Sequence, residues 1–366
     1  MVESLYLPEV HVDRPGQVHE EKLDLRHDGL RQYFLMHWLP TKDGSESSPV
    51  AQPKAVIVFV HGFGEHVGRY RNIFRMFSDR GYQVSGFDQR GYGRTWYENP
   101  DPDQTHGWTT WEEQMKDISL MLQLTRARLD ESWGKNKVPI FLLGHSMGGG
   151  LTAGFFTRPA GSIPSEEVKS LVSGAMLSSP WLDIHFPIPP ALGAWLMRGV
   201  LAVAPRCRLP LGPPSNHLSR DPLVCEAVRQ DPLCDTFVYT RGLYDPLTQG
   251  PKVVTDAYKL WPKNLPVMIA HGTGDSVTKW SCSKKLHDNL QKIGRESTFQ
   301  SFDGYYHEAF HEPGDLKRAF TTAYIEYVPY HLLQAGSTNI CPQQHLLRIL
   351  RQLRFPKATH MRITLQ

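Results

Sequence analysis

The sequence predicts an α/β fold, with a mainly parallel central sheet covered by helices on both faces. Short apolar runs alternate four times with helical patterns over residues 55–177, as is typical of such a sheet. This alternation stops near residue 180 and resumes at residue 265. A hydrophobic content of 40% over 366 residues is enough to build a large core.

The elements follow from local patterns. The Asp-Gly pair at residues 28–29 predicts a hairpin within residues 22–39. Buried strands and amphipathic helices are then recognised by their hydrophobic periods. The expected strands span residues 55–60, 82–87, 140–143, 174–177, 265–270 and 297–302. The expected helices span residues 71–80, 111–129, 151–158, 283–292 and 321–327.

These elements divide the chain into four parts. The core comprises residues 25–180 and 252–330, and residues 181–251 form an insertion rich in Pro, Trp, Leu and Arg. Residues 1–24 are expected to be an irregular arm. Residues 331–366 are expected to be a disordered basic tail, although residues 346–354 could form a short basic amphipathic helix.

A glycine-rich turn follows the apolar run at residues 140–143. Gly144-His145-Ser146-Met147-Gly148 fits the pattern G-x-S-x-G, in which a serine sits on a sharp turn between a strand and a helix. Residues without a Cβ are needed there because strand and helix pack closely around the turn. The pattern predicts that Ser146 is a nucleophile, since the helix N-terminus behind it favours developing negative charge.

A serine nucleophile needs a base and a carboxylate that orients the base. Asp275 follows the strand at residues 265–270, and His307 follows the strand at residues 297–302. Functional groups collect beyond the carboxyl ends of parallel strands, so both residues are well placed. Asp245 and Asp303 are rivals for the carboxylate, but Asp303 precedes the His307 turn and Asp245 lies in the insertion.

The oxyanion of an acyl-transfer reaction needs two backbone donors. The residue after the nucleophile, Met147, supplies one N–H group. The second is expected from the loop after the strand at residues 55–60, and we assign it to the N–H of Phe63.

Five segments carry a resemblance to a known family. They are residues 61–70, H-G-F-G-E-H-V-G-R-Y, followed by residues 88–93, 144–149, 271–275 and 306–308. In this order they resemble the monoglyceride lipases, serine hydrolases of the α/β-hydrolase fold, and especially the fungal members. The resemblance covers about residues 25–328 and implies an α/β-hydrolase fold with an inserted cap, or lid, at residues 181–251.

The resemblance also implies roles for single residues. It places the catalytic triad on Ser146, Asp275 and His307, and the oxyanion hole on Phe63 and Met147. It assigns Glu65 and Arg69 to the glycerol end of the site, although these two could simply pair and brace their loop. Asp88 and Arg90 are expected to hold the shape of a loop.

The implied activity is cleavage of monoacylglycerols to glycerol and fatty acid through an acyl-enzyme, without metal or cofactor. A lysophospholipase or a general short-chain esterase is an alternative with the same chemistry. A catalytically silent lipid-binding protein is an alternative of another class. The cap carries an apolar cluster around Trp195 and Leu196, which predicts contact with a membrane or a lipid droplet, or alternatively a helix packed on the core.

The charge and cysteine content bound the partners and the compartment. The net charge is +3, but residues 331–366 hold five basic and no acidic residues, and subtracting these five leaves −2 for the rest. The body therefore gives no sign of nucleic-acid binding. Five cysteines without metal-type spacing favour free thiols, and residues 1–14 lack the order of a secretory signal. We expect a cytoplasmic protein that associates peripherally with lipid droplets or the endoplasmic reticulum membrane.

Overall fold

The computed structural model describes residues 16–27, 30–98, 106–185, 190–204, 208–209, 212–234 and 238–336. The strands are β1 (Gln17–His27), β2 (Leu30–Leu39), β3 (Val56–Val60), β4 (Gln83–Phe87), β5 (Ile140–His145), β6 (Val172–Ser178), β7 (Arg208–Leu209), β8 (Val238–Tyr239), β9 (Val267–Gly272) and β10 (Ser297–Phe302). The α-helices are α1 (Arg75–Asp79), α2 (Gly93–Tyr97), α3 (Trp111–Trp133), α4 (Met147–Phe156), α5 (Glu166–Lys169), α6 (Pro190–Val203), α7 (Pro222–Gln230), α8 (Thr240–Thr255), α9 (Trp280–Lys292) and α10 (Asp315–Gly336). Short 3-10 helices span Val67–Tyr70, Ser215–His217, Ala257–Leu260 and Ala309–His311.

An eight-stranded sheet organises the described residues, in the order β1-β2-β4-β3-β5-β6-β9-β10. The six strands from β4 to β10 are parallel, while β2 is antiparallel to β4 and to β1. The predicted α/β class with a mainly parallel sheet is therefore confirmed.

Both faces of the sheet are packed, which explains why the central strands read as continuous apolar runs. In β3 and β5 every residue is buried. Val58 and Leu142 pack with residues of α3, α4, α8 and α9 on one face. Ile57 and Phe141 pack with residues of α1 and α10 on the other face. Because β3, β5, β6, β9 and β10 run parallel, their carboxyl ends lie along the same edge of the sheet.

The irregular arm predicted at residues 1–24 is wrong for residues 17–24, which belong to β1. The strand was missed because it lies at the sheet edge, where alternate polar side chains face solvent. His19, Glu20, Lys22 and Asp24 are all exposed. Residues 1–15 lie outside the described residues.

Several other boundaries also differ from the prediction, most of all those of α1 and α10. The helix expected at residues 71–80 begins only at Arg75. The carbonyl oxygen of Arg71, which an α-helix would offer to the Arg75 N–H, accepts instead from the Trp38 indole N–H at 2.8 Å, and the Arg75 N–H donates to Asn72 at 3.3 Å. At the other end of the chain, α10 continues through residue 336, six residues into the predicted tail. The basic segment at residues 346–354 lies outside the described residues.

The segment between β6 and β9 interrupts the sheet where the sequence predicts an insertion. It contains α6, α7, α8 and the two-residue antiparallel pair β7 and β8. Helix α8 packs on α6 and also on α4 and α9, so it joins this segment to the core. The division of residues 181–251 as a separate cap stays a prediction. No helix in the described ranges has the length and apolar character needed to cross a bilayer.

Candidate active site

Ser146 lies on the turn that connects β5 directly to α4. Its backbone has φ +51° and ψ −116°, a conformation that side chains rarely adopt and that is maintained only by strong surrounding constraints. The Ser146 N–H donates to the carbonyl oxygen of Ser178 at 2.9 Å. A Cβ at Gly144 would overlap the carbonyl oxygen of Gly148, and a Cβ at Gly148 would overlap that of Val60. The glycines of the motif are therefore required by the close packing of strand and helix.

The three residues predicted as a triad meet at this turn. The His307 Nε2 atom lies 2.8 Å from the Ser146 hydroxyl oxygen. The His307 Nδ1 atom lies 2.8 Å from the Oδ2 atom of Asp275. All three side chains are buried, and they come from three separate strand ends, after β5, β9 and β10. The arrangement allows the imidazole to take a proton from the hydroxyl while the carboxylate fixes its tautomer.

Further donors fix the Asp275 carboxylate. The backbone N–H groups of Val277 and Thr278 donate to Oδ1 at 2.7 and 2.9 Å. The Thr278 hydroxyl donates to Oδ2 at 2.8 Å, and His271 Nε2 lies 2.9 Å from the same oxygen. Burial works to raise the pKa of Asp275, but the charge of His307 and the hydrogen bonds of the two histidines outweigh it and hold the pKa well below 3.8. The carboxylate is thus ionised.

The electrostatics of His307 suit a base. Burial works to lower its pKa, but the charge of Asp275 and its hydrogen bond outweigh burial, so the net shift is upward from 6.5. His145 lies next to it, with ring centroids 5.1 Å apart. Burial and the neighbouring His307 hold the pKa of His145 well below 6.5, so His145 stays neutral.

The loop after β3 passes directly against the nucleophile. A Cβ added at Gly62 would lie 3.1 Å from the Cβ of Ser146. Phe63 lines the same cavity as Ser146, and Met147 is the first residue of α4. The Met147 side chain points into the core, where its sulfur lies 3.9 Å from the Tyr92 hydroxyl. Only the backbone N–H of Met147 is therefore relevant to the oxyanion prediction.

Glu65 and Arg69 form part of a buried charge network. Arg69 donates to Glu65 at 2.7 Å and makes a two-pronged pair with Glu308 at 2.8 and 2.6 Å. Glu65 also accepts from the Gly62 N–H at 2.5 Å and from the Tyr70 hydroxyl at 3.0 Å. The bracing interpretation of Glu65 and Arg69 is therefore seen directly. Both residues also line the cavity, so their assignment to substrate stays a prediction.

Asp88 and Arg90 fix the shape of their loop, as expected, because Asp88 binds neighbouring backbone groups and Arg90 binds helix α3. Asp88 accepts from the N–H groups of Val67 and Arg94, both at 2.7 Å. Arg90 makes two hydrogen bonds to Asp117 in α3, at 3.0 and 2.8 Å.

The two alternative carboxylates, those of Asp245 and Asp303, form hydrogen bonds with groups other than His307. Asp245 accepts from the Trp111 N–H at 2.9 Å. Asp303 accepts from the Thr273 hydroxyl at 3.0 Å. Asp275 is consequently the carboxylate that contacts His307.

Sequence reasoning missed Glu308 and the supports of Asp275. Glu308 balances the charge of Arg69, and the His311 Nδ1 atom lies 3.2 Å from the Oε2 atom of Glu308. A glutamate next to the predicted base was the available signal. The position of His271, four residues before Asp275, was a weaker one.

A cavity of about 930 Å³ opens beside Ser146. Its lining combines the predicted site residues with apolar and polar side chains of the segment between β6 and β9. Those from the segment include Trp181, Ile184, Asn216, Leu218, Cys225, Val228, Cys234, Leu243 and Leu247. For a metal, one cluster in the described part of the chain has suitable ligands: His66, Asp231 and Cys234.

The fold and this site define an α/β-hydrolase of the serine hydrolase type. Within that class, the chain belongs to the serine aminopeptidase S33 family (Hydrolase_4), whose model matches residues 51–314.

Individual proteins similar to this chain are lipases named for monoglycerides or monoacylglycerols. A putative monoglyceride lipase of Schizosaccharomyces pombe is 31% identical over 282 residues, covering 76% of this chain but only 66% of that protein. A monoacylglycerol lipase structure from Paleococcus ferrophilus superposes with a TM-score of 0.62 at 26% identity, over 77% of this chain and 96% of that one. A monoglyceride lipase structure from Saccharomyces cerevisiae gives a TM-score of 0.70 at 20% identity, over 90% and 97%. The last similarity supports the fold alone.

Proposed function

We propose that the protein is a serine carboxylester hydrolase that cleaves monoacylglycerols to glycerol and a fatty acid. The supporting observation is the chain of two 2.8 Å contacts from Ser146 through His307 to Asp275. Ser146 and His307 line a cavity that is large enough for a lipid chain. The relatives are named monoglyceride or monoacylglycerol lipases, which supports monoacylglycerols as the class of ester.

In the first half of the reaction, the Ser146 oxygen attacks the ester carbonyl carbon while its proton passes to His307 Nε2. The carbonyl oxygen becomes an oxyanion, which the N–H groups of Phe63 and Met147 stabilise. The bond from carbon to the glycerol oxygen then breaks, and His307 returns the proton to that oxygen. Glycerol leaves, and the acyl group stays on Ser146.

In the second half, water attacks the acyl carbon and gives a proton to His307. The same two N–H groups hold the second oxyanion. The bond to the Ser146 oxygen then breaks and the proton returns to Ser146, so the fatty acid leaves and the enzyme is restored. Asp275 keeps its charge throughout and stabilises the imidazolium.

The cavity lining supports a neutral alcohol and a long acyl chain. Arg69 lies between two carboxylates, those of Glu65 and Glu308, so its charge is already balanced and a phosphate gains little there. Apolar side chains such as Leu218, Leu243 and Leu247 offer contact for an acyl chain. Each buried CH₂ contributes about 0.8 kcal/mol to binding.

A substrate panel with a serine control tests this proposal. We expect 2-oleoylglycerol to be hydrolysed at least about tenfold faster than lysophosphatidylcholine, p-nitrophenyl butyrate or an aminoacyl p-nitroanilide, the last representing peptidase chemistry. A fluorophosphonate probe should label the wild type and Ser179→Ala but not Ser146→Ala. Ser179 is a suitable control because it is buried, and its hydroxyl oxygen has no hydrogen-bond partner among the described residues.

The outcomes separate the alternatives. Preference for lysophosphatidylcholine or the butyrate ester would replace the monoacylglycerol assignment with a lysophospholipase or a general esterase. An unlabelled wild type that still binds lipid would favour a catalytically silent lipid-binding protein.

The glycerol-end proposal for Glu65 and Arg69 has its own test, a comparison of KM for glycerol and methyl esters of the same acyl chain. We expect Glu65→Gln to raise KM for the glycerol ester more than for the methyl ester. Equal effects on both esters would leave Glu65 with bracing alone.

We further propose that residues 181–251 act as a cap whose helix α6 contacts lipid surfaces, on droplets or the endoplasmic reticulum. Its exposed apolar side chains lie on one helical face: Leu192, Trp195, Leu196, Val200 and Val203. Trp195 is 69% exposed, which is unusual for a side chain packed on a core. Trp195→Ser with Leu196→Ser should reduce flotation with liposomes at least severalfold. Unchanged flotation of the folded variant would reject membrane contact.

A further inference from the structure

Three metal-type side chains meet beside the catalytic residues without taking part in the proposed reaction. His66 lies in the loop after β3, whereas Asp231 and Cys234 follow α7 in the segment between β6 and β9. The possible ligand atoms of the three all lie within 4.8 Å of one another. His66 Nε2 lies 2.8 Å from Asp231 Oδ2.

The donor set is one that borderline-soft cations prefer. Imidazole, thiolate and carboxylate are the usual zinc ligands, at about 2.0–2.3 Å from the ion. Such ligands lie about 3.3–3.6 Å apart in a tetrahedron. The His66–Asp231 pair, now at 2.8 Å, would therefore open by about 0.5 Å, and no pair would have to contract by more than about 1.5 Å. Three protein ligands leave a fourth position for water, as in open zinc sites.

Access and local charge are also compatible with a cation. Cys234 lines the cavity beside Ser146, so an ion can reach the cluster through it. Burial is favourable to a site because it restricts competing water: His66 and Asp231 are 1% and 5% exposed. The nearby Arg69 opposes a cation, but Glu65 and Glu308 already pair with that guanidinium.

We propose that His66, Asp231 and Cys234 bind a divalent transition-metal ion of the Zn²⁺ type. The ion binds the lone pair of an imidazole nitrogen, one carboxylate oxygen and the Cys234 sulfur, and both the proton held between His66 Nε2 and Asp231 Oδ2 and the thiol proton leave to solvent. Occupancy cross-links the loop that carries Phe63 and Glu65 to the segment that covers the cavity. Bound metal therefore raises stability and slows ester turnover, because the segment can no longer move away from the loop.

Binding is measured with Cd²⁺, which reports a thiolate ligand by an ultraviolet charge-transfer band. The reduced full-length protein should show a band that saturates at one Cd²⁺ per chain and that Zn²⁺ removes by competition. Cys234→Ser should abolish the band, and Asp231→Asn should weaken binding at least about tenfold. Cys225→Ser is the matched control, because Cys225 lines the same cavity outside the cluster, and it should keep the band.

Thermal unfolding and activity give independent readouts. Zn²⁺ should raise Tm and lower the rate of ester hydrolysis in the wild type and in Cys225→Ser, with both effects absent in Cys234→Ser. The apo melting curve of each variant shows that it is folded. A missing band in the wild type, a band that persists in Cys234→Ser, or one that disappears in Cys225→Ser would each overturn the site. Because metal binding is measured without substrate, the result is independent of the proposed function.

Discussion

Replacement of Glu308 by glutamine tests the buried charge network most directly. Glu308 accepts two hydrogen bonds from Arg69, at 2.8 and 2.6 Å, and both side chains are about 5% exposed. Glutamine keeps the size of the side chain but removes its charge. One of its two terminal atoms then becomes a donor that faces the Arg69 donors.

The expected cost follows from the burial of the pair. Removing one partner of a buried ion pair costs about 3–5 kcal/mol because the remaining charge is left uncompensated. Glu65 still contacts Arg69, so we expect the lower end, about 3 kcal/mol. With a urea m value of about 3 kcal/mol/M, the unfolding midpoint should fall by about 1 M.

Urea unfolding of matched variants measures this cost. Glu226 pairs with Arg229 on the surface, with side chains 45% and 62% exposed, so Glu226→Gln should cost at most about 1 kcal/mol. If Glu308→Gln cost no more than Glu226→Gln, the reasoning about an uncompensated Arg69 charge would be refuted.

The same variant makes a prediction about pH. Burial works to raise the pKa of Glu308, but the Arg69 charge and the hydrogen bonds from His311 and Arg69 hold it well below 4.5. A depressed folded-state pKa gives stability that is present above the unfolded pKa and lost as pH falls through the folded one. The stability difference between wild type and Glu308→Gln should therefore shrink below about pH 4.5, as read from urea midpoints across pH.

The remaining predictions concern the reacting groups and the turn. His307 must be neutral to accept a proton and its pKa is raised, so kcat/KM should fall as pH drops through a value above 6.5. Asp275→Asn should move that acid limb to lower pH and reduce kcat about 10⁴-fold; an unmoved limb would contradict the assignment. Gly148→Ala should cost about 1–3 kcal/mol in urea unfolding, since its Cβ meets the Val60 carbonyl. Gly199→Ala, with nothing within 4 Å, should instead gain about 0.5–1 kcal/mol, and equal effects would argue against the steric explanation.

The predictable parts of the fold are the strands and helices whose buried apolar residues form a regular pattern in the sequence. Strands β3 and β5 are buried on both faces, so their apolar runs identified them to within two residues. Helix α3 was identified by the spacing of Met115, Ile118 and Leu122, all of which face the core. The order of Ser146, Asp275 and His307 was predictable because each follows a strand that the sequence indicates.

The parts that were not predictable depend on distant contacts. The charge of Arg69 is balanced by Glu308, 239 residues away, and no local pattern reports such a pair. The C-terminal extension of α10 depends on tertiary packing, since His331 is buried and its Nδ1 atom lies 3.6 Å from a carboxylate oxygen of Glu296, outside the helix. The two halves of the metal-type cluster lie 165 residues apart, at His66 and Asp231.

The polar edge strand β1 has a consequence for the behaviour of the protein at high concentration. The outer edge of a sheet offers unpaired N–H and C=O groups that can recruit a strand from another molecule. Glu20, Lys22 and Asp24 place charges of both signs along that edge, and each would have to lose water before a second strand could align. The composition that concealed β1 from pattern analysis thus disfavours strand pairing between molecules at this edge of the sheet.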